Sequence, residues 1–382
     1  MPDPDFSLTA ATELLGRLVA CPSVNPRGAV PAGPPFGEAA MAELLRALLT
    51  GWGAQVTVTE IAPGRPNLTA RFAGRDPARS LMLEAHSDTV AVDGMVIPPF
   101  APVVRDGRLY GRGACDTKGP MAAMLLGLRQ VLDADGQPPV TVWFVSTCNE
   151  ELGGTGARAL IDGGFRADAA LVAEPTELSI VHAHKGALRV ALETAGVAVH
   201  SANPDRGVNA IYQMVPVLER LQREAIPALR QVRHPLLGSP TLSVGTIHGG
   251  TQVNVVPARC RIELDRRLVP GEDREAVLRQ LCGADPVRAE VSEYYPVLEE
   301  SRTSRIAQCT AAACQAVLGQ AILTTAPYAT NAGFFKAAGI PTVVFGPGSI
   351  AQAHTKDEFI ELDQVSRAAA VYATIIRAWG NR

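Results

Sequence analysis

The sequence predicts an α/β protein: a mixed sheet covered by helices, interrupted by a smaller inserted α+β domain. Three observations lead there. In the first half of the chain, short Val- and Leu-rich segments alternate with helical patterns. The middle third changes to the order β-α-β-β-α-β, which is ferredoxin-like. After it, one helical and one strand pattern resume the first rhythm.

Residues 9–19 and 38–49 carry leucines at helical spacing, and Gly51 and Gly53 follow the second as stop signals. Five apolar segments come next or nearby: 55–60, 68–72, 81–84, 140–146 and 169–173. Each is short and bounded by Gly, Pro or Asp, which favours buried strands. Residues 120–132 read as a helix with Pro120 near its first turn. In the middle third, 187–194 is a strand, 208–221 a helix, 241–247 and 260–264 strands, 275–281 a helix and 287–291 a strand. Residues 305–317 then form a helix and 342–345 a strand. The expected division is a discontinuous catalytic domain, 1–184 with 297–382, and an insert, 185–296. The Pro/Gly-rich stretch 25–37 is expected to be a surface loop.

Composition narrows the function. A formal net charge of -3, with no Lys/Arg run, recommends neither nucleic acid nor an anionic membrane as a partner. The first ten residues, MPDPDFSLTA, are acidic and lack the basic segment and apolar core of a secretory signal. No apolar stretch reaches the roughly 18 residues a membrane span needs. Seven scattered cysteines without a C-x-x-C fit a reducing compartment, so cytoplasm is the expected location.

Acids and imidazoles collect just after the strands of the first domain. Residues 81–84 run into His86 and Asp88; a glycine-rich loop, G-R-G-A-C-D-T-K-G, holds Asp116; 140–146 run into Glu150 and Glu151; 169–173 run into Glu174; and 342–345 lead to His354. In open α/β sheets the crevice beyond the carboxyl ends of the strands is where ligands bind. Several strand ends offering carboxylate or imidazole form a metal-site pattern. His86 and Asp88 are two apart, so in strand geometry they point the same way, and the carboxylate can accept the far ring N–H of a ligating imidazole. Glu150 and Glu151 are adjacent and point differently; one can ligate while the other stays free as a base. Two imidazoles and three carboxylates suit two zinc ions about 3.5–4 Å apart, sharing one carboxylate and a water.

With these residues in view, the chain resembles the dinuclear zinc peptidase/deacylase family that contains acetylornithine deacetylase, succinyl-diaminopimelate desuccinylase and carboxypeptidase G. The resemblance runs from C-P-S-V near Val24 to H-T-K-D-E-F near Phe359. It is greatest to acetylornithine deacetylase in H-A-H-K-G (182–186), H-S-A-N-P-D-R-G-V-N-A-I (200–211) and F-G-P-G-S-I-A-Q-A-H (345–354). It implies a zinc-peptidase-like catalytic domain and a lid domain through which two subunits dimerise. It also implies two divalent ions, zinc with cobalt able to substitute, and hydrolysis of the N-acyl amide bond of a small N-acyl amino acid. By the resemblance Asp116 bridges the metals, His86 and Glu174 complete one, and Glu151 and His354 the other. Glu150 matches the general base and Asp88 the residue that orients His86. His200 matches the residue that reaches a partner's site to hold the oxyanion, and Asn254 and Arg267 the residues that grip the substrate carboxylate. The bond after Asp116 is expected to be cis.

Two positions depart from the family's pattern. Ala91 stands where a proline is common, implying a looser turn. Asn331, in Y-A-T-N-A-G-F-F, stands where acetylornithine deacetylases often carry an acid, which makes ornithine less expected as the side chain. Desuccinylase, aminoacylase and dipeptidase activities remain open, as does a homologue that binds metal or peptide without catalysis; the intact Glu150 argues against the last. G-R-G at 111–113 lacks the third glycine of a dinucleotide fingerprint. Cys115 has no free base beside it and reads as a packed residue. His182 and His184 alternate on a strand and read as packing or pocket-border residues, and His234 and His248 carry no motif.

Overall fold

In this computed structural model, which describes residues 8–30 and 33–381, the chain divides into two units. The first comprises the chain up to residue 182 with 299–324 and 330 onward; the second comprises 183–298 with 325–329. Residues 1–7, on which most of the N-terminal reading rests, and residues 31–32 of the Pro/Gly-rich stretch lie outside the described residues.

The first unit is built on a mixed sheet in which Gln55–Ala62, Arg65–Phe72, Val140–Thr147, Asp76–His86, Ala170–Val172 and Thr342–Val344 are successive neighbours. The first two pairings are antiparallel. The next three are parallel. The central strands are Val-, Leu- and Ala-rich and, apart from residues 76–80 at the start of Asp76–His86, almost wholly buried, as parallel strands covered on both faces must be. Gln55–Ala62 differs: it is the sheet's outer strand, and most of it is exposed. The expectation of burial fails there because position in the sheet, not apolar content, decides how much of a strand is covered.

Helices Leu8–Val19, Lys118–Asp135, Arg305–Leu318 and Leu362–Trp379 pack together and share one apolar core with the sheet. Lys118–Asp135 and Leu362–Trp379 approach so closely that a side chain at Gly127 would meet the Ala369 carbonyl at 2.6 Å and Tyr372 Cβ at 2.8 Å. The Leu362–Trp379 helix, ending in A-A-A-V-Y-A-T-I-I-R-A-W, is not among the sequence-predicted elements, although its apolar positions recur at helical spacing. A three-stranded sheet of Val103–Arg105, Arg108–Tyr110 and Phe359–Glu361 was also not anticipated, because strands of three residues carry almost no periodic signal.

The second unit has the expected ferredoxin-like order. Its four-stranded antiparallel sheet runs Thr241–Gly249, Arg259–Leu268, Gly186–Ala195, Val287–Tyr295. Helices Ala210–Arg220 and Arg274–Cys282 contribute to the core on one face of it. Both are capped by the residue before them: Asn209 Oδ1 accepts from the Ile211 and Tyr212 N–H groups, and Asp273 Oδ1 from that of Ala276. Among the described residues no helix is long and apolar enough to cross a membrane.

Candidate metal centre

Parallel pairing brings four strand ends to one edge of the sheet. His86 closes its strand and lies in register with Thr147, while Val172 lies in register with both Glu84 and Val344. The chain beyond each end then delivers a polar residue: Glu150 and Glu151 in a 3-10 turn, Glu174 two residues past Val172, and His354 in the loop after Val344. Asp116 precedes the Lys118–Asp135 helix, and the Asp116–Thr117 peptide is cis, as the resemblance implied.

These side chains converge. Asp116 turns its two oxygens to two different imidazoles, Oδ1 lying 3.0 Å from His86 Nε2 and Oδ2 3.2 Å from His354 Nε2. His354 Nε2 is also 3.0 Å from Glu151 Oε2. Ligand atoms of His86, Asp116 and Glu151 lie within 4.8 Å of one another, as do those of His86, Glu150 and Glu174. His86, Asp116 and Glu174 are buried, whereas the His354 side chain is 52% exposed.

The electrostatics are those of a site short of positive charge. Burial, reinforced by Asp116 and Glu150, holds the Glu174 carboxyl well above its ordinary range. Burial likewise raises Glu150, with Glu151, Asp116 and Asp88 adding repulsion. Glu151 is pushed up to about 7 by burial and by Asp116. Asp116 goes the other way: burial would raise it, but its hydrogen bonds with His354 and His86 hold it below the usual carboxylate range. Hydrogen bonds with Asp116 and Glu151 raise His354 to about 11. Glu151 Oε1 is buried with no hydrogen-bond partner. Clustered carboxylates, two imidazoles and an orphaned carboxylate oxygen fit divalent cations bound among them.

The residues around this cluster fix its shape. His86 Nδ1 lies 3.0 Å from the carbonyl oxygen of Asp88 and 3.6 Å from its carboxylate Oδ1. Both the carbonyl and the carboxylate of Asp88 thus face this ring nitrogen, the carbonyl more closely. The Asp88 carboxylate also accepts from the N–H groups of Glu150 at 2.9 Å and Glu151 at 3.1 Å and from Asn25 Nδ2 at 2.7 Å. Asn25 is 4% exposed, so the expected surface loop begins with a residue that reaches inward.

Asn149, immediately before the glutamate pair, adopts a left-handed conformation at φ 61° and ψ 34°. Its Oδ1 accepts from Arg65 Nη1 and Asn25 Nδ2, its Nδ2 donates to the Leu152 carbonyl and Thr155 Oγ1, and its N–H donates to Glu38. Glu38 and Arg65 are themselves a buried ion pair. None of Asn25, Glu38, Arg65 and Asn149 stands out in the sequence except Asn149, through its place before Glu150.

The other expected site residues lie in the second unit. His200 is exposed, bridges to Val255, and accepts at Nδ1 from the Ala202 N–H at 3.1 Å; the Asn254 carbonyl accepts from Ser201 N–H at 3.0 Å. Arg267 is 28% exposed and both arms of its fork meet Asp265, at 2.8 and 3.1 Å. Its neighbour Arg266 faces the opposite way, is 1% exposed and pairs with Glu272. His182 and His184 are both buried, and each Nδ1 lies 2.9 Å from a backbone carbonyl, of Glu300 and Lys185 respectively. Cys115 is fully buried and burial raises its thiol, in keeping with a packed residue. Asn331 is fully buried, and its Nδ2 donates to Glu84 Oε1 and Thr147 Oγ1, each at 3.0 Å.

Comparison with known proteins gives a family and a fold. Residues 82–378 match the family described as "Peptidase family M20/M25/M40". Acetylornithine deacetylase of Myxococcus xanthus is 36% identical over 322 residues, covering 81% of this chain and 83% of that protein. The enzyme of the same name from Vibrio campbellii is 32% identical over 342 residues, covering 86% and 88%. Among solved structures, an M20 family metallo-carboxypeptidase from Sulfolobus solfataricus superposes with a TM-score of 0.81 at 19% identity, covering 97% of this chain and 99% of that one. A dinuclear metal-binding peptidase from Bacillus subtilis gives a TM-score of 0.68 at 17% identity, with 98% of each chain covered. At these identities the structures speak for the fold.

Proposed function

The chain belongs to peptidase family M20/M25/M40, a family of metallohydrolases, and on that footing we propose that it hydrolyses the N-acyl amide bond of a small N-acyl amino acid. The observation that carries this is Asp116, whose two oxygens face two imidazoles, with Glu151 beside one of them and Glu150 and Glu174 beside the other. Such a set suits two divalent ions, zinc or cobalt in its place: Asp116 shared, His86 and Glu174 completing one, Glu151 and His354 the other. When bound, these ions supply Lewis acidity that polarises an amide carbonyl and makes water a nucleophile near neutral pH.

The protein's residues do the rest. Glu150 takes the proton of the attacking water and returns it to the nitrogen of the leaving amine as the C–N bond breaks. Burial and neighbouring acids raise its affinity for that proton. His200, reaching from the partner in a homodimer formed through the second unit, donates to the developing oxyanion, a role worth about 2.7–4 kcal/mol elsewhere. Asn254 and Arg267 grip a free α-carboxylate on the amine side; Arg suits this through its two-pronged fork, which substrate would take over from Asp265. Asn331, expected to bear on the substrate's side chain, is buried with its amide donating to Glu84 and Thr147, so the choice between ornithine and neutral or polar side chains is left to the panel below. A cytoplasmic location accords with seven unpaired cysteines.

The test is a panel assayed with added zinc or cobalt: N-acetylornithine, N-acetylcitrulline, N-acetylmethionine, N-succinyl-diaminopimelate, a dipeptide, and the amide of the best acid. We expect metal-dependent amine release, with the amide losing about tenfold to a hundredfold in kcat/KM, since hydrogen bonds to a charged group are worth roughly 1.5–3 kcal/mol. Equal rates for acid and amide would remove Asn254 and Arg267 from substrate binding. Metal-dependent activity on none of the panel would favour a binding homologue.

A further inference from the structure

We propose that Glu358 is the positioning residue that holds Asp116 against His354 and so sets the geometry of their shared site. This rests on the reading of Asp116 and His354 as metal ligands. Glu358 is 1% exposed and touches neither imidazole ring by any hydrogen bond; its carboxylate is spent on the loop that carries Asp116. Oε1 accepts from the N–H groups of Cys115 at 2.8 Å and of Asp116 itself at 3.0 Å. Oε2 accepts from Gly113 N–H at 3.0 Å and from Arg112 Nη1 at 2.7 Å. Both oxygens are therefore doubly engaged, and four donors spread over residues 112–116 converge on one side chain.

Glu358 belongs to the opposite loop. It lies four residues after His354 and directly before the Phe359–Glu361 strand, which pairs with Arg108–Tyr110 at the start of the Asp116 loop. Its own carbonyl accepts from Gly111 N–H at 3.0 Å. The His354 segment and the Asp116 segment, more than two hundred residues apart in sequence, are thus joined through Glu358 at both backbone and side chain. The Asp116 loop needs such a clamp. Gly113 is left-handed at φ 81°, and no regular ladder holds residues 112–116; Arg112 and Ala114 donate to the Pro99 and Gly111 carbonyls, but the N–H groups of Gly113, Cys115 and Asp116 have Glu358 as their acceptor. A carboxylate accepting several backbone N–H groups is among the stronger ways to fix a loop.

The experiment uses the full-length protein, stripped of metal with chelator and titrated with cobalt(II). It follows bound-metal stoichiometry, affinity and the visible absorption of the bound ion. Glu358→Gln is the decisive variant. A carboxamide has one oxygen, so whichever way it sits, two of the four donors face an NH2 group. We expect at least one of the two cobalt equivalents to bind about 10–100-fold more weakly, the usual range for groups that hold ligands in place. The cobalt spectrum should shift, and kcat should fall with KM little changed. Leu45→Ala, a core truncation away from the site, serves as the control for lost stability alone: it should lower Tm and leave affinity and spectrum as in wild type. If Glu358→Gln does not fold, Glu358→Asp, which keeps the charge but is shorter by one methylene, is read in the same way. Either variant, folded and binding two equivalents with wild-type affinity and spectrum, overturns the proposal. A wild-type protein that binds fewer than two equivalents overturns the metal reading beneath it instead.

Discussion

Replacing Glu150 by Gln separates a base from a ligand. The substitution is nearly isosteric, and the backbone at 150 is held independently, by its N–H to Asp88 Oδ1 at 2.9 Å. It removes one of four clustered carboxylates and leaves Asp116, Glu151 and Glu174 with both imidazoles, a complete set for two ions under the proposed assignment. What disappears is a proton acceptor that burial and the neighbouring acids have raised well above its ordinary range. General bases contribute about 10²–10⁴-fold, which at 1.36 kcal/mol per decade is roughly 2.7–5.4 kcal/mol of transition-state stabilisation. Because the same group delivers the proton to the amine, the loss should fall at the upper end. The assay pairs kcat on the best panel substrate with metal counting on the same preparation. Two ions retained with activity down a thousandfold or more is the expected result. Activity above about a tenth of wild type would refute the base assignment. Loss of one ion together with activity would make Glu150 a ligand, which its grouping with His86 and Glu174 within 4.8 Å permits.

Three further outcomes follow from the geometry. Asp116→Ala should disturb both ions, since its two oxygens face two imidazoles, while Glu174→Ala and Glu151→Ala should each weaken mainly one; equal losses in metal counting would argue against a shared ligand. If His200 acts across a dimer, mixing inactive His200→Ala and inactive Glu150→Gln subunits should restore activity, and confirmed exchange without recovery would remove it from that role. His184 is held by burial at about 4 against an ordinary 6.5, so the unfolded chain binds the extra proton between those values. Stability from this residue is therefore full above pH 6.5 and lost as pH falls toward 4, by on the order of 3 kcal/mol. Acid denaturation of His184→Asn should lack that slope, and an unchanged slope would show that other groups carry it.

Much of the fold was legible because its signals are local. Leucines at helical spacing marked Leu8–Val19, and a Val-rich run marked Val140–Thr147. Short strands such as Arg108–Tyr110 carry too few residues for a period to register. Asp88 could be noticed for its spacing from His86, but the sequence does not say that its carboxylate would also hold the N–H groups of Glu150 and Glu151, or that its carbonyl would face the ring.

By itself, the sequence determined most of the longer elements and the residue types at their ends, because periodicity and strand boundaries depend on near neighbours. His86, Asp116, Glu150, Glu151, Glu174 and His354 could all be picked out on that basis. Only the tertiary structure decided who meets whom. Parallel register brought four strand ends to one edge, the outer position of Gln55–Ala62 left it exposed, Asp265 closed the fork of Arg267, and Asn331 was buried against Glu84. Glu358 is the clearest case. In the sequence it is one acid in H-T-K-D-E-F, and its partners lie some 245 residues away. Hydrogen bonds to backbone N–H groups leave no mark in residue type, so nothing short of the fold could reveal what that carboxylate holds.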